Sequence, residues 1–278
     1  MLKINISILI PAYNEELNIR SAIESVKWAD DIFVVDSFSS DKTLEIAKKY
    51  PNVKTLQHKF ENYSKQKNWA LDNLPIESEW VFILDADERI TENLKKEILE
   101  TISRPEDFVA FYINRRFIFL GKWIKHCGWY PSWNLRLFKK GKARYEERSV
   151  NEHMISYGKT GYLKNDMLHE NLRPLADWLE KHNKYSTLEA EEFLNRKETG
   201  LLQSFFSKDQ VSRKRAVKEK IFYKLPFKPF FLFLYLYIFR LGFLDGRVGF
   251  VFCCLRAIQQ FNIDVKIKEL IIKKHVRK

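Results

Sequence analysis

The sequence contains few of the residues that mark extracellular, fibrous or disordered chains. Three cysteines, nine glycines and eight prolines in 278 residues exclude a disulfide-stapled scaffold, a collagen-like repeat and a Pro/Gly-rich disordered chain. Two of the cysteines, Cys253 and Cys254, are adjacent in an apolar run, and no CxxC pattern occurs. The N-terminal apolar run is short and is broken by Pro11, which favours a first strand over a signal peptide. We therefore expect a cytoplasmic protein.

Acidic residues are scarce in only one part of the chain. Residues 1–207 hold 31 basic and 31 acidic residues, whereas residues 208–278 hold 17 basic and 5 acidic ones. The whole formal charge of +12 therefore lies in the last quarter of the sequence. Such a charge first suggests nucleic acid or an anionic membrane as the partner. The tail has no nucleic-acid recognition motif and its aromatic residues lie in apolar blocks, so we expect no nucleic acid.

Long uninterrupted apolar runs are also missing from the tail. Its two runs, 229–239 and 248–255, are shorter than the ~20 residues that a spanning helix needs. Joining them would place Arg240, Asp245 and Arg247 near the bilayer centre, at roughly 2.5–3.5 kcal/mol each. The pattern favours a helical hairpin lying in the interface, with basic residues toward anionic headgroups on the inner face of the cytoplasmic membrane. The alternative is an ordinary helical subdomain with a solvated charge.

The first hundred residues alternate between strand and helix signals. Short apolar runs predict strands, and stripes of period 3.6 predict the helices between them. This order predicts an α/β fold with a mostly parallel sheet flanked by helices, occupying a domain of residues 1–200, followed by a helical tail of residues 201–278. Ligands bind such sheets at the carboxyl ends of the strands. The predicted strands are 4–10, 32–35, 53–57 and 80–84, and the predicted helices are 16–26, 43–50, 65–74 and 92–102.

A pair of carboxylates is the sharpest local feature. The buried run Trp80–Leu84 is followed at once by Asp85-Ala86-Asp87, which delivers two carboxylates to the carboxyl edge of the sheet. Hard oxygen ligands of this kind suit Mg²⁺ or Mn²⁺ together with a diphosphate. The pair also fits acidic residues placed before the following helix, where the helix dipole favours them. An Asp-x-Asp pattern alone leaves both readings open.

Three motifs in order point to a family. They are Ser7-Ile-Leu-Ile-Pro-Ala-Tyr-Asn-Glu-Glu16, Val34-Val-Asp-Ser-Phe-Ser-Ser-Asp-Lys-Thr43 and Trp80–Glu88, each at a strand end. Over residues 4–200 the chain resembles the family 2 glycosyltransferases, which have the GT-A nucleotide-diphospho-sugar fold. Arg136-Leu-Phe-Lys-Lys, Val150-Asn-Glu152, Leu168-His169 and the tail segment 240–247 further resemble the lipopolysaccharide-core glucosyltransferases of the WaaE/KdtX-like branch.

The resemblance implies roles at the nucleotide. Asp36 would hydrogen-bond the base or ribose, although a turn acceptor for Ser39–Asp41 is the other reading. Lys67, or else Lys65 on the same helix, would face the nucleotide, with a solvated helix face as the alternative. The residues at the end of the first strand would line the uridine pocket. The alternatives are that Tyr13 is a core residue and that Glu15 is an acidic residue at a helix N-terminus. These pocket residues are Pro11, Ala12, Tyr13 and Glu15.

The same resemblance implies a metal site and a catalytic base. Asp87 and His169 would ligate Mn²⁺ or Mg²⁺, while Asp85, with Ala86, would contact ribose or a metal-bound water. Single displacement at the sugar needs a carboxylate that takes the proton of the acceptor hydroxyl. Glu152 is the predicted base and Glu147 the runner-up, because the acidic pair usual in the family at this point is missing.

The sequence also offers candidate side chains for binding sugars and phosphates. Three tryptophans of the connection 115–135 could stack on sugar rings or simply pack, and Arg136 and Arg144 could face phosphates. The tryptophans are Trp123, Trp129 and Trp133.

The expected activity is inverting, metal-dependent transfer of a hexose, with glucose from UDP-glucose as the first candidate. The partners would be a nucleotide-diphospho-sugar donor, a lipopolysaccharide-core or related glycolipid acceptor, and an anionic membrane surface. Glycosylation of a polyprenyl phosphate is the nearest alternative, since that acceptor is also anionic. A basic nucleic-acid-binding protein and a catalytically inactive sugar-nucleotide sensor are the other classes, and the intact Asp85, Asp87 and Glu152 argue against the last.

Overall fold

The computed structural model describes residues 4–104, 107–146, 153–195 and 226–276. The chain divides into two compact units. The sheet unit comprises Met1–Lys125 and Trp129–Pro174, and the helical unit comprises His126–Gly128 and Leu175–Lys278. The predicted domain boundary at residue 200 lies outside the described residues and stays a prediction.

The sheet unit is built on one mixed sheet and a separate two-stranded hairpin. All four strands predicted in the first hundred residues are present, and Val53–Gln57 has the predicted bounds. The strands are β1 (Ile6–Ala12), β2 (Asp31–Asp36), β3 (Val53–Gln57), β4 (Trp80–Ile83), β5 (Glu88–Arg89), β6 (Ala110–Phe119), β7 (Lys122–Trp123), β8 (Trp133–Lys139), β9 (Ala143–Tyr145), β10 (Met154–Ser156), β11 (Thr160–Tyr162) and β12 (Met167–Glu170).

Neighbouring strands in the main sheet follow the order β3-β2-β1-β4-β8-β6-β12-β5. β3, β2, β1 and β4 are parallel, and β12 and β11 are parallel to β6. β8 lies antiparallel between β4 and β6, while β5 and β7 pair antiparallel with β12 and β6. The mostly parallel sheet is thus confirmed, with antiparallel strands added beyond β4. β9 and β10 form the separate hairpin.

Helices cover both faces of this sheet. α1, α2 and α4 pack on one face, and α3 packs on the other together with β9 and β10. In α1 the apolar positions recur at helical spacing and are buried, but Leu17 is 51% exposed because the helix begins only at Ile19. The predicted helix 16–26 therefore starts three residues too early. The helices are α1 (Ile19–Val26), α2 (Thr43–Ala47), α3 (Tyr63–Asn73) and α4 (Glu92–Ile102).

The helical unit packs two helices against the last one. α5 (Leu175–Asn195) and α6 (Lys228–Leu234) both contact α7 (Gly246–Val276). A π-helical turn (Tyr235–Phe239) and a 3₁₀ turn (Gly242–Asp245) connect α6 to α7. The C-terminal helical appendage is thus confirmed, and its α6–α7 pair is a helical hairpin.

The tail segment Arg240–Arg247 forms a tightly packed turn in this unit. Asp245 is buried and its carboxylate accepts hydrogen bonds from the main-chain N–H of His126 and from the His126 ring, each at 2.8 Å. A Cβ at Gly249 would collide with the carbonyl oxygen of Gly242, so only glycine allows α7 to approach the turn. The segment therefore has a structural function inside the helical unit.

Within the described residues one helix, Gly242–His275, is long and apolar enough to cross a membrane by length and composition alone. Its most apolar window has a mean hydropathy of 1.2 and is 33% buried inside the protein, and a single helix of this kind is weak evidence for a span.

Candidate active site

The three motifs meet at the carboxyl edge of the sheet. Ala12 at the end of β1 pairs with Asp36 at the end of β2, and Leu9 of β1 pairs with Ile83 of β4. Asp85 follows β4 by two residues. The parallel register therefore brings the ends of the three motifs to one edge, where the fold class places ligands.

The loop after β1 is bound by an arginine, Arg173, that the sequence did not suggest. The guanidinium of Arg173 donates to the main-chain oxygens of Tyr13, at 2.6 Å, and of Asn14, and forms an ion pair with Glu15 at 3.0 Å. Tyr13 is 56% exposed, so its ring is not part of the core. The exposed ring is available to a ligand, and the role of Tyr13 toward a base stays a prediction.

Asp36 closes the turn after β2. Its carboxylate accepts hydrogen bonds from the main-chain N–H and the hydroxyl of Ser39 and from Gln57 Nε2, the first and last at 3.0 Å. The side chain is fully buried. The alternative reading of Asp36 as a turn acceptor therefore describes its contacts within the chain, and its role toward a nucleotide stays a prediction.

Asp85 lies among buried charges. Its carboxylate is 3.3 Å from Lys67 Nζ and 2.5 Å from Arg136 Nη2, and the same guanidinium nitrogen reaches Glu88 Oε1 at 2.7 Å. Arg115 Nη1 lies 3.3 Å from that Glu88 oxygen, and Glu88 Oε2 accepts from the Asp85 main-chain N–H at 3.0 Å. Three cations thus surround the carboxylates of Asp85 and Glu88 and compensate their negative charges.

The charges of this cluster fix the protonation of Asp85. Burial alone would raise the pKa of Asp85, but the positive charges of Arg136 and Lys67 outweigh it and hold this pKa well below its usual range. Burial likewise opposes the charge of Arg136, yet the carboxylates of Asp85 and Glu88 raise its pKa well above the ordinary value. Both groups are therefore charged at neutral pH.

A β-bulge aims Arg136 into the cluster. Phe111 of β6 pairs with Leu137 of β8, whereas the next residue, Tyr112, pairs with Leu135, so Arg136 is an extra residue on β8. Bulges re-aim a side chain out of the regular alternation of the strand. Arg136 was a candidate for phosphate contact, and in the structure it pairs with carboxylates.

The two lysines of α3 have different surroundings. Lys67 is 6% exposed and its ammonium lies beside Asp85, with the Tyr145 ring centroid 4.8 Å away. Lys65 forms an exposed ion pair with Glu61 on the outer side of the helix. Lys67 is therefore the lysine that faces the site, and Lys65 lies on the solvated face.

Arg144 and the three tryptophans have different surroundings. Arg144 forms a two-pronged ion pair with the exposed carboxylate of Asp72, at 2.8 and 2.9 Å. Trp123 packs against the Tyr130 ring, and Trp129 packs against Phe117. Only Trp133 among the three predicted tryptophans is strongly exposed, at 42%.

Asp87 and His169 face each other at the same edge. β12 pairs with β5 in the register that sets His169 opposite Glu88, and the Glu170 N–H donates to the Asp87 carbonyl. The Asp87 carboxylate oxygen lies 3.2 Å from His169 Nε2. A converging carboxylate and imidazole are donors that fit Mn²⁺, with Mg²⁺ preferring oxygen alone. In the part of the chain that the structure describes, no group of three or more such side chains forms a complete metal cage.

The two candidate bases, Glu147 and Glu152, lie outside the described residues. The residues on either side of their segment are hydrogen-bonded to each other, since the Glu146 N–H donates to the His153 carbonyl at 3.0 Å. Tyr145, just before them, exchanges hydrogen bonds through its main chain with the Asn68 side chain on α3. The identity of the base stays a prediction.

Sequence reasoning missed Glu88, Arg115 and Arg173 as parts of this edge. Glu88 had a weak signal, since it follows the Asp-x-Asp pair directly. Arg115 and Arg173 are 27 and 158 residues from the carboxylates they contact, Glu88 and Glu15, and only the strand order brings them there.

The chain is similar to known proteins both in sequence and in structure. The chain is 30% identical to the lipopolysaccharide core biosynthesis glycosyltransferase LpsC of Rhizobium meliloti over 95% of this chain and 92% of that protein. Among solved structures it is similar to S. aureus TarS 1-349 in complex with UDP, with 19% identity, a TM-score of 0.45, and 96% and 91% of the two chains covered.

A second solved structure with similar likeness is the glucosyl-3-phosphoglycerate synthase of Mycobacterium tuberculosis in complex with Mn²⁺, UDP and phosphoglyceric acid. It has 15% identity and a TM-score of 0.45, and covers 70% of this chain and 80% of that one. These scores are too low to transfer ligand positions to this protein. The family model "Glycosyl transferase family 2" matches residues 7–167. That match, together with the relationship to LpsC over nearly the whole chain, shows that this protein is a glycosyltransferase that belongs to glycosyl transferase family 2.

Proposed function

We propose that this protein transfers a hexose, with inversion, from a UDP-sugar to a lipopolysaccharide-core or related glycolipid at the cytoplasmic face of the membrane. UDP-glucose is the first candidate donor. The observation that carries the proposal is the convergence of Asp87 and His169 beside the charged Asp85 at the carboxyl edge of the sheet. Membership in the family and the relationship to LpsC support the same activity.

The donor would lie along the carboxyl edge, across the ends of β1, β2 and β4. Tyr13 offers an exposed ring for the uracil, and Asp36 retains unused acceptor capacity because a carboxylate has about four lone-pair sites. Lys67 and Arg136 keep Asp85 ionised and fixed in place, so that it can accept from the ribose hydroxyls. These residues bind and orient the nucleotide.

Asp87 and His169 would hold Mn²⁺ or Mg²⁺, and their mixed oxygen and nitrogen donors favour Mn²⁺. When bound, the ion supplies positive charge beside the leaving diphosphate. Lys67, Arg115 and Arg136 lie at the same edge and offset the negative charges of Asp85 and Glu88.

Glu152 is the proposed base that accepts the proton of the attacking hydroxyl, with Glu147 as the second candidate. Inversion requires one carboxylate on the acceptor side of the anomeric carbon.

The surface of the helical unit supports the proposals that the acceptor is a glycolipid and that the protein binds a membrane. Its α6–α7 hairpin exposes many large apolar side chains, and Arg240 and Arg247 are exposed beside them. Aromatic residues next to basic ones are typical of proteins that lie at an anionic membrane interface. We therefore propose peripheral binding to the inner face of the cytoplasmic membrane. The exposed set, called the aromatic hairpin surface, is Phe227, Phe230, Phe231, Tyr235, Ile238, Phe239, Leu241, Phe243, Leu244, Phe250 and Val251.

The decisive experiment measures UDP release from a panel of nucleotide sugars as Mn²⁺ is titrated. UDP-glucose with Mn²⁺ should raise the melting temperature and yield UDP. Asp87→Ala should lower turnover by roughly 10²–10³-fold or more, since charge at the leaving diphosphate is lost.

Asp72→Ala is the matched control, because Asp72 is an exposed aspartate of the same unit whose partner is Arg144 at the surface. It should retain wild-type turnover. Full activity of Asp87→Ala in the presence of a chelator would contradict the metal site. Transfer to polyprenyl phosphate and not to lipopolysaccharide-type acceptors would replace the proposed acceptor.

A further inference from the structure

Three aromatic rings form an exposed patch on the sheet unit. The rings of Tyr112 and Tyr162 are stacked with centroids 5.1 Å apart, and Trp133 meets Tyr162 edge-on at 5.0 Å. Trp133 is 42% exposed and Tyr162 is 61% exposed. Ring-to-ring contacts of these two geometries hold the rings in fixed orientations. This aromatic patch thus presents rigid ring faces to solvent.

The aromatic patch lies at the same edge of the sheet as the carboxylates. Phe82 of β4 pairs with Leu137 of β8, and because the two strands are antiparallel, Trp133 lies beyond the end of β4, on the side where Asp85 and Asp87 follow. Tyr162, the last residue of β11, pairs with Tyr112 of β6. Strands are about 4.8 Å apart, so Trp133 is one strand from β4 and Tyr162 is about 14 Å away. The patch therefore extends sideways from Asp85 and Asp87.

A polar group borders the rings. Asn114 lies directly opposite Trp133 across the β6–β8 pair, on the same face of the sheet, and its side-chain oxygen accepts from the Ser132 N–H at 2.6 Å. Arg115 Nη2 donates to Ser132 Oγ at 3.3 Å, and among the described residues Arg115 Nε is buried without a hydrogen-bond partner. A rigid apolar face with polar groups at its border is how proteins orient a small polar ligand.

A pyranose ring has the complementary chemistry. One face of the ring presents C–H groups that pack on the electron-rich face of an aromatic ring, and hydroxyls project around its edge. An acyl chain would match the rings but leave the polar border unused. A nucleotide base would compete for the same rings, but the strand ends that carry Tyr13 and Asp36 lie on the other side of β4.

We propose that the aromatic patch binds a sugar ring of the acceptor glycan, adjacent to the ring whose hydroxyl receives the hexose. The inference rests on the proposed function and deepens it, since it requires an acceptor that already carries sugars. Trp133 contacts the ring nearest to Asp85 and Asp87, and Tyr162 contacts the next ring outward. Polyprenyl phosphate has no sugar ring and gains nothing from these side chains.

The test uses the full-length protein with UDP-glucose, Mn²⁺ and the oligosaccharide released from bacterial lipopolysaccharide by mild acid. Trp133→Ala should raise the KM for this oligosaccharide about tenfold, which corresponds to about 1.4 kcal/mol. The KM for UDP-glucose and the release of UDP to water in the absence of acceptor should stay at wild-type values. Tyr162→Ala should raise the KM for the oligosaccharide by a smaller factor.

Two variants separate stacking from damage to the fold. Trp133→Phe retains an aromatic face and should restore most of the affinity for the oligosaccharide. Tyr157→Ala is the matched control, because Tyr157 is 60% exposed but lies after β10, where its N–H donates to Lys142 at the opposite edge of the sheet. It should leave every parameter unchanged.

Saturation-transfer NMR with the same oligosaccharide provides a readout that does not depend on turnover. Transfer to the oligosaccharide should be strong with wild type and weak with Trp133→Ala. An unchanged KM or an unchanged NMR signal in Trp133→Ala overturns the proposal, as does an equal loss toward polyprenyl phosphate. Absence of UDP release from every nucleotide sugar would refute the proposed function instead, and the NMR result would still decide the patch.

Discussion

The two units of this protein depart from ordinary burial in opposite directions. In the sheet unit charged residues are buried: Lys67, Glu88 and Arg136 are at most 6% exposed. In the helical unit aromatic residues are exposed, with Phe227 at 81% and Phe239 at 76%. Each of these three buried charges meets an opposite charge within the same unit, whereas large exposed apolar patches mark contact with another surface. The buried charged residues of the sheet unit thus have their partners within the chain, whereas the exposed aromatic residues of the helical unit are available to an external surface.

The largest effect should come from removing one buried charge. Arg136→Met leaves Glu88 fully buried with Arg115 as its other ion-pair partner, and breaking a buried pair in this way costs about 3–5 kcal/mol. Urea unfolding of the sheet unit, followed by tryptophan fluorescence, would measure the loss in free energy of unfolding.

The matched control is Arg144→Met, which removes an arginine from an ion pair whose side chains are 43% and 50% exposed. An exposed pair contributes about 0–1 kcal/mol, so this variant should unfold close to wild type. Equal losses in the two variants would break the contrast between buried and exposed charges. Adding Glu88→Gln to Arg136→Met should recover part of the lost stability.

The aromatic hairpin surface should show the next largest effect. Changing Phe230 and Phe239 to serine removes two exposed rings, each worth about 1–2 kcal/mol if it enters the interface. Binding to phosphatidylglycerol vesicles, measured by co-sedimentation, should therefore fall at least about tenfold. UDP release from the soluble donor should be unchanged.

Phe261→Ser provides the control for this pair. Phe261 is 57% exposed on α7, about 16 Å along the helix from Phe250, and lies outside the aromatic hairpin surface. It should retain vesicle binding. If Phe261→Ser weakens vesicle binding as much as the changes at Phe230 and Phe239, the exposed rings bind vesicles by nonspecific hydrophobic contact and not through a defined surface.

The smallest expected effect concerns a titratable group that the helical unit keeps neutral. Burial lowers the pKa of His182 to about 4, although the hydrogen bond to the Trp178 carbonyl opposes this shift. The unfolded chain takes up the proton near pH 6.5, so between pH 6.5 and 4 the unfolded state binds more protons. Stability should therefore fall as the pH is lowered through this window.

Calorimetry of wild type and His182→Gln between pH 7 and pH 4.5 would measure that slope. The variant should lose a pH dependence of at most about 1.4 kcal/mol per pH unit, reduced further by the partial exposure of the ring. A slope that is identical in both proteins would assign the acid sensitivity to other groups. The sheet unit keeps Asp85 charged with partners, whereas the helical unit keeps His182 neutral by burial.

Local sequence signals predicted the elements of the sheet unit well. The helix Glu92–Ile102 has the predicted bounds, and its N-cap Thr91 accepts from the Leu94 N–H as a capping residue should. α3 begins two residues before the predicted Lys65, because the Asn62 side chain caps it. Such errors are small, since caps and apolar periodicity are properties of neighbouring residues.

The contacts of the site could not be predicted in the same way. Arg136 is 51 residues from Asp85 and His169 is 82 residues from Asp87, so their pairing depends on strand order and register. The motifs placed Asp36, Asp85 and Asp87 at one edge because parallel strands end together. They carried no information on which cations neutralise Asp85, since a bulge in β8 decides that.

The bulge on β8 also keeps the two ends of that strand in one register. Phe111 pairs with Leu137 and the next residue, Tyr112, pairs with Leu135, so deleting residue 136 would leave both pairs in place and restore a regular ladder. Trp133 would stay opposite Asn114, whereas the guanidinium between Asp85 and Glu88 would be lost. A single codon deletion there would therefore remove a cation from the donor side and leave the ring on the acceptor side in place.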